Sequence, residues 1–369
     1  MKISCSQEEL TRFLQIVSHA IASKTTLPIL NGILLETRDN ALRCLATDLE
    51  IAIEVIVPNI KVINPGSLVV PGKTFVEIIK HLPRFNVEIE FDENEKMVSI
   101  NSKNLSYQLP LLPFEEFPTF PEAKSVEKLE VNSEKLREAI HQTIYATLGE
   151  DPRPFVTSIL WEISENQMRL VATDVNRLAI KDIPINGRIQ RNALVPVRSL
   201  REIAGIFGGN QENILEINIT DKLIFIQSSG IKFSSRLIEA QFPRYEQVIP
   251  KDFIGSAKMS RNDLIEALER TALVSSSIKV NINPGNSLMI ITSKEPDKGH
   301  SKEEIPIEIS GMEIEMGFNV KYLLDFLKAV DSEQILFKYV QDQKPALFQG
   351  EKDQDYQYIV MPLKLTASS

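Results

Sequence analysis

Cysteine is nearly absent from this chain of 369 residues, with only Cys5 and Cys44 present. Two thiols without CxxC spacing exclude a disulfide scaffold and a zinc–thiolate site, and they fit a reducing compartment. The four histidines (His19, His81, His141 and His300) are scattered, with no HExxH pair. No apolar run is long enough to span a bilayer, which argues against a membrane partner. The opening residues MKISCSQEEL contain no apolar signal core, so the expectation is a cytoplasmic protein. A basic excess is absent too: 41 Lys and Arg against 50 Asp and Glu leave a net charge of −9, unlike a tight nucleic-acid binder. What the chain does have is 43% hydrophobic residues, enough for a packed core, and length for two or three domains.

Its most informative feature is repetition. Ala46-Thr47-Asp48 recurs as Ala172-Thr173-Asp174, an offset of 126 residues. Leu10, Phe13, Leu14 and Val17 have the i, i+3, i+4, i+7 spacing of a helix stripe. Leu136, Ala139, Ile140 and Thr143 repeat it, as do Leu264, Ala267, Leu268 and Thr271. A shorter stripe occurs three times as well: Phe75, Ile78, Ile79 and Leu82; Leu200, Ile203, Ala204 and Phe207; Leu323, Phe326, Leu327 and Val330. Val70-Pro71 recurs as Val195-Pro196, and Phe117-Pro118 as Phe242-Pro243. A third relative of the triplet, MIITS, has Ser293 in place of the Asp. Alternating runs such as NVEIEF, ILEINI and SLMIIT read as strands, and Asn283–Asn286 as a hairpin turn. The pattern predicts an α+β protein of three similar units, each with a long helix, strands, a short helix and more strands. Linkers rich in proline and charge place the units at 1–125, 126–254 and 255–369.

The same repetition removes several catalytic readings. Neither Asp48 nor Asp174 has a nearby His, Cys or Ser partner, so each reads as a residue at a strand end. GSLVVPGKT, Gly66 to Thr74, is a near miss for a phosphate loop. Its Val69-Val70-Pro71 occupies the place of a glycine nest. Ser276-x-x-Lys279 lacks the companion motifs of an acyl-enzyme. No nucleophile–base or metal constellation is present, so the expectation is a non-enzyme without cofactor or metal. The six helical segments together carry +2 and the rest −11, so the helices are relatively electropositive. If they share a surface, an acidic protein can still face phosphates weakly, as a sliding protein requires.

Taken together, the repeat and the phrases TTLPILNGILLE, LATD, LVATDVNRLAI, FPRYEQVIP and YIVMPLKL resemble the bacterial sliding-clamp family, the beta subunits of replicative DNA polymerase III. The resemblance covers essentially the whole chain. It implies a head-to-tail homodimeric ring of clamp domains, with helices lining a hole for duplex DNA and strands outside. Such a closed ring leaves no free sheet edge. It implies a processivity factor that tethers its partners: the polymerase III catalytic subunit, the clamp loader and other proteins with a clamp-binding motif.

By motif, the partner-peptide groove between the second and third domains would take Val156, Thr173, Asn176, Arg177, Leu178, Pro243 and Val248. The C-terminal strand would add Ile359, Val360, Met361, Pro362, Leu363, Lys364 and Leu365. Met361 is an adaptable thioether, and Pro362 marks a strand end. DNA contact would fall to Lys24, Lys73, Glu150, Arg153, Pro154 and Phe155. The dimer seam would set Tyr107 and Leu109 against Leu273 and Val274, with Lys96 and Lys103 facing Glu303 and Glu304. The sequence departs from the family's usual residues at Val175-Asn176, Gln247, Lys364, Glu150 and Pro154. Two other readings stay open: a peptide-binding scaffold of this architecture without DNA function, supported by Glu150 and the acidic charge, and a repeat-built enzyme.

Overall fold

The computed structural model describes residues 1–92, 96–122, 128–208 and 213–364. The expected break near Ser125 and the groove residue Leu365 lie outside the described residues. Among the described residues there are six α-helices: α1 (Gln7–Ser18), α2 (Gly72–His81), α3 (Ser133–Ile144), α4 (Val197–Phe207), α5 (Arg261–Ala272) and α6 (Val320–Ala329). They alternate with antiparallel strands as the repeat predicts.

The helices bury nearly all of the stripes that their spacing predicts, with Ile78 of α2 and Ala204 of α4 half-buried. Leu10, Phe13, Leu14 and Val17 of α1 are buried, as are Leu136, Ala139 and Ile140 of α3, and Leu264, Ala267 and Leu268 of α5. The polar member of two copies is handled the same way: the Thr143 hydroxyl donates to the Ala139 carbonyl, and Thr271 to Ala267, both at 2.7 Å. Returning the hydroxyl to its own helix lets threonine sit in the core without an unsatisfied group. Gly72, in the phosphate-loop near miss, has a packing role. A Cβ there would lie 2.7 Å from Ile21 Cδ1 and 3.0 Å from Ile33 Cγ1. Lys279 of the SxxK pattern is paired with Glu315 at 2.7 Å.

The chain forms two compact units. The first, Met1–Ser133 with Gly205–Leu237, holds a five-stranded and an eight-stranded sheet. Four strands of the larger sheet come from the first repeat and four from the second. They join where Ile51–Val57 pairs antiparallel with Ile231–Arg236. The second unit, Glu134–Ala204 with Ile238–Ser369, holds a nine-stranded and a four-stranded sheet. Its larger sheet joins the second and third repeats where Arg177–Pro184 pairs with Tyr356–Val360. Compactness therefore follows the sheets, which run through the repeat boundaries. Leu105–Pro110 is an edge strand of the five-stranded sheet, and Gly299–Pro306 an edge strand of the four-stranded one. Among the described residues, no helix is long and apolar enough to cross a membrane.

Candidate partner-binding site

The turn after Ala172 is a compact hydrogen-bonded loop. Thr173 Oγ1 donates to the Arg177 carbonyl (2.7 Å) and accepts from Val175 N (3.0 Å). Asp174 Oδ1 accepts from Asn176 N (3.0 Å) and Arg177 N (3.1 Å). A threonine and an aspartate are needed because their short side chains reach their own backbone two and three residues on. The turn reverses the chain so that Leu178 pairs with Thr173 on one side and with Ile359 on the other.

Arg177 sits beneath this turn, 5% exposed. Its Nε donates to Asp174 Oδ2 (2.8 Å), Nη1 to Asp325 Oδ2 (2.7 Å) and Nη2 to the Tyr145 carbonyl (2.5 Å). The guanidinium lies 4.3 Å from the centre of the Tyr322 ring. Burial pulls its pKa down, but Tyr358, Asp325 and Asp174 more than offset that, so it stays charged. Tyr145 and Tyr356 share a hydroxyl–hydroxyl bond of 2.5 Å, and burial keeps both neutral. A charge buried this deeply is stable only with such partners.

Past the last strand, the chain is pinned at two points. Met361 N donates to the Asn176 carbonyl and Leu363 N to the Gly317 carbonyl, both at 2.8 Å. Pro362, between them, has no N–H to leave unpaired. Met361 (39%) and Leu363 (37%) are exposed, as is Lys364. Below them Leu178 and Ile359 lie in a buried cluster with Leu160, Val171, Leu194, Tyr245 and Leu347. Phe242 and Ile249 of the second linker pack on that cluster. Tyr245 is anchored by its hydroxyl on Glu162 at 2.5 Å.

The groove residues expected from sequence thus divide by depth. Asn176, Pro243, Val248, Met361, Leu363 and Lys364 are exposed, and Thr173 and Pro362 half-buried. Val156, Arg177, Leu178, Ile359 and Val360 are buried and support the surface from below. Sequence reasoning missed Tyr145, Tyr322 and Asp325, which hold Arg177. The available signal was the arginine itself: on a strand with apolar neighbours, a cation requires a carboxylate from elsewhere in the fold.

Two other sets of expected residues, those for DNA contact and for the dimer seam, are partly engaged within the chain. Phe155 packs edge-on against Phe242 at 6.2 Å, so its ring supports the linker. Arg153 turns back onto Asp151, donating from backbone N (2.9 Å), Nε (2.8 Å) and Nη2 (2.9 Å), because the acid is two residues away. Those bonds, the side-chain ones first, hold the Asp151 carboxyl down at about 2. Lys24, Lys73, Glu150 and Pro154 are exposed. At the expected seam, Tyr107 and Leu273 are exposed and Val274 half-buried. Leu109 is already buried, opposite Val98. The rim charges also have partners within the chain: Glu303 with Arg270 (2.9 Å), Glu304 with Lys302 (2.6 Å) and Lys103 over the Phe85 ring (3.1 Å). Lys96 is exposed at a turn.

Known proteins share this arrangement. Family models described as the N-terminal, central and C-terminal domains of the DNA polymerase III beta subunit match residues 1–121, 130–244 and 246–364. The "Beta sliding clamp" of Bacillus subtilis is 28% identical over 99% of this chain and 100% of its own length. That of Staphylococcus epidermidis is 28% identical over 94% of each chain. Among solved structures, the Bacillus subtilis DNA polymerase sliding clamp superposes with a TM-score of 0.95 at 26% identity, covering 99% of this chain and 100% of its own. A Pseudomonas aeruginosa clamp bound to griselimycin gives 0.94 at 29% identity, with the same coverage.

The fold and the repeated junctions define a three-domain clamp, built of helices on antiparallel sheets. The chain belongs to the DNA polymerase III beta-subunit family of bacterial sliding clamps.

Proposed function

We propose that this chain is the processivity clamp of a bacterial replicase, a cytoplasmic homodimer that closes around duplex DNA. It performs no chemistry. Its work is to convert a polymerase's repeated rebinding into an intramolecular event by raising its effective concentration at the template. The proposed domains are residues 1–125, 126–254 and 255–369. The carrying observation is the pair of sheets that run through both repeat boundaries, each joined by five consecutive residue pairs. Each is one continuous sheet made of strands from two neighbouring repeats. The edge strands Leu105–Pro110 and Gly299–Pro306 supply one sheet edge in each of the two compact units. Pairing those edges head to tail between two copies would close the ring, with Tyr107 and Leu273 as its apolar contacts.

In this reading the exposed surface formed by Asn176, Pro243, Val248, Met361 and Leu363 takes a short linear peptide from the polymerase III catalytic subunit, the clamp loader or other partners. An apolar anchor entering it would supply most of the affinity. The test is topological. Loaded protein should persist on nicked circular DNA and leave when that DNA is linearised. Equal retention on both would mean ordinary binding and end the ring proposal. No retention on either would favour the second reading, a peptide-binding scaffold without DNA function. Arg153's engagement by Asp151 is the observation behind that alternative.

A further inference from the structure

Ten described residues other than glycine have positive φ. Eight are polar: Asp39, Asn59, Lys96, Lys103, Asn166, Ser229, Ser287 and Gln343. The two apolar ones are Leu49 (74°) and Val175 (83°). Val175 is the only β-branched residue among them and has the largest angle. A Cβ branch clashes with the backbone in this region, so valine is among the worst residues for it and glycine the best. The turn enforces the conformation, because Val175 N is held by Thr173 Oγ1 and the next two amides by Asp174.

Strain of this kind is normally offset by burial, but Val175 is 54% exposed. The fold therefore gains little from its isopropyl group. Its position is informative. Asn176, the next residue, accepts the Met361 amide, and Arg177 pairs with Val360. Val175 thus adds an exposed apolar group beside Met361, on the surface assigned above to the partner peptide.

We propose that Val175 is a specificity-determining residue of that groove, and that its methyl groups pack against an apolar side chain of the extended partner peptide. The strain is retained because glycine, which would relieve it, offers no such contact. This rests on the groove reading, and the experiment separates the two.

The probe is a labelled peptide of the clamp-binding segment of the polymerase III catalytic subunit, with Kd measured by fluorescence anisotropy on the full chain. Val175→Gly should raise the unfolding midpoint and weaken peptide binding about fivefold. Val175→Ala keeps the Cβ and its backbone restriction but removes both methyls; it should weaken binding about threefold without the stability gain. Leu49→Gly, in the equivalent turn of the other junction, should raise the midpoint and leave Kd unchanged. Wild-type affinity in both Val175 variants overturns the proposal. So does weakening in Val175→Gly alone, which would report backbone freedom, or an equal loss in Leu49→Gly. Met361→Ala provides the check on the groove itself. If it binds peptide as wild type does, the groove reading fails, and this proposal with it.

Discussion

The turns at Asp48 and Asp174 are made of the same bonds, yet the side chains below and above them are exchanged in polarity. At Asp48, Thr47 Oγ1 donates to the Ile51 carbonyl (2.8 Å) and accepts from Leu49 N (3.0 Å), while Asp48 Oδ1 accepts from Glu50 N (3.0 Å) and Ile51 N (2.8 Å). Every bond has its counterpart 126 residues later. Even the strand beyond is held alike: Arg236 N donates to the Glu50 carbonyl at 2.9 Å, as Met361 N does to Asn176 at 2.8 Å. The difference lies in two side chains. At the first junction the residue beneath the turn is Ile51, 1% exposed, and the residue above it is Arg236, whose Nε donates to the Leu49 carbonyl at 2.9 Å. At the second junction the order of polarity is reversed. The arginine, Arg177, is below, and the exposed residue is Met361. A guanidinium over the first turn occupies its backbone acceptor. A thioether over the second leaves an apolar opening. One conserved local geometry thus gives a closed structural joint in one place and a candidate docking surface in the other.

The largest effect expected from this comparison is on stability at the second junction. Arg177→Ala removes the shared donor of two carboxylates, one of which, Asp174, is 4% exposed. Stranding buried charge costs about 3–5 kcal/mol. Ile51→Ala at the first junction removes apolar contacts only and should cost about 2–4 kcal/mol. Urea unfolding of both variants measures the difference. If Arg177→Ala costs less than Ile51→Ala, the ion cluster is not what holds the second turn.

Next comes the reversal of the upper side chain. Met361→Arg gives the second turn the cap of the first. It should reduce affinity for the polymerase peptide by about 2 kcal/mol, roughly thirtyfold, by replacing an apolar contact with a solvated cation. Unfolding stability should move by less than about 0.5 kcal/mol, since the site is at the surface. Isothermal titration reads the affinity. Binding at wild-type strength would show that the surface beside Met361 is not where the peptide lies.

The contrast also shows how much was readable in advance. The helix stripes, the threefold unit and the duplicated triplet were legible because their signals are local: spacing along a helix, and short polar side chains reaching their own backbone. That Arg177 would be buried was not. Its partners, Tyr145, Tyr322 and Asp325, come from α6 and the segment after α3, and no spacing in the chain links them to the triplet. The contacts that Phe155, Arg153 and Leu109 make within the chain were not legible for a related reason. Phe242, Asp151 and the neighbouring strand engage them within the chain, and a motif match does not record such competition. The positive φ of Val175 was equally invisible, since valine is the residue a turn of that kind should exclude.

The smallest expected effect concerns which cation holds Asp325. Its Oδ2 accepts from Arg177 Nη1 at 2.7 Å and from Lys321 Nζ at 2.6 Å, so the distances alone do not rank them. Surroundings do. The Lys321 side chain is 71% exposed and that of Arg177 is 5% exposed. Water screens the lysine and competes for its protons, and ordering its long chain costs entropy, so an exposed i, i+4 pair stabilises by only about 0.3–0.5 kcal/mol. The arginine is fixed by Asp174, the Tyr145 carbonyl and the Tyr322 ring whether or not Asp325 is present, and its bond forms with little water. Lys321→Ala should therefore cost about 0.3–0.5 kcal/mol in urea unfolding, and less at high salt. A loss above about 1 kcal/mol that persists in salt would mean that Asp325 needs both cations. The exposed face of α6 would then be part of what holds the second turn, and the two junctions would differ in a whole ion network rather than in the pair of side chains above and below the turn.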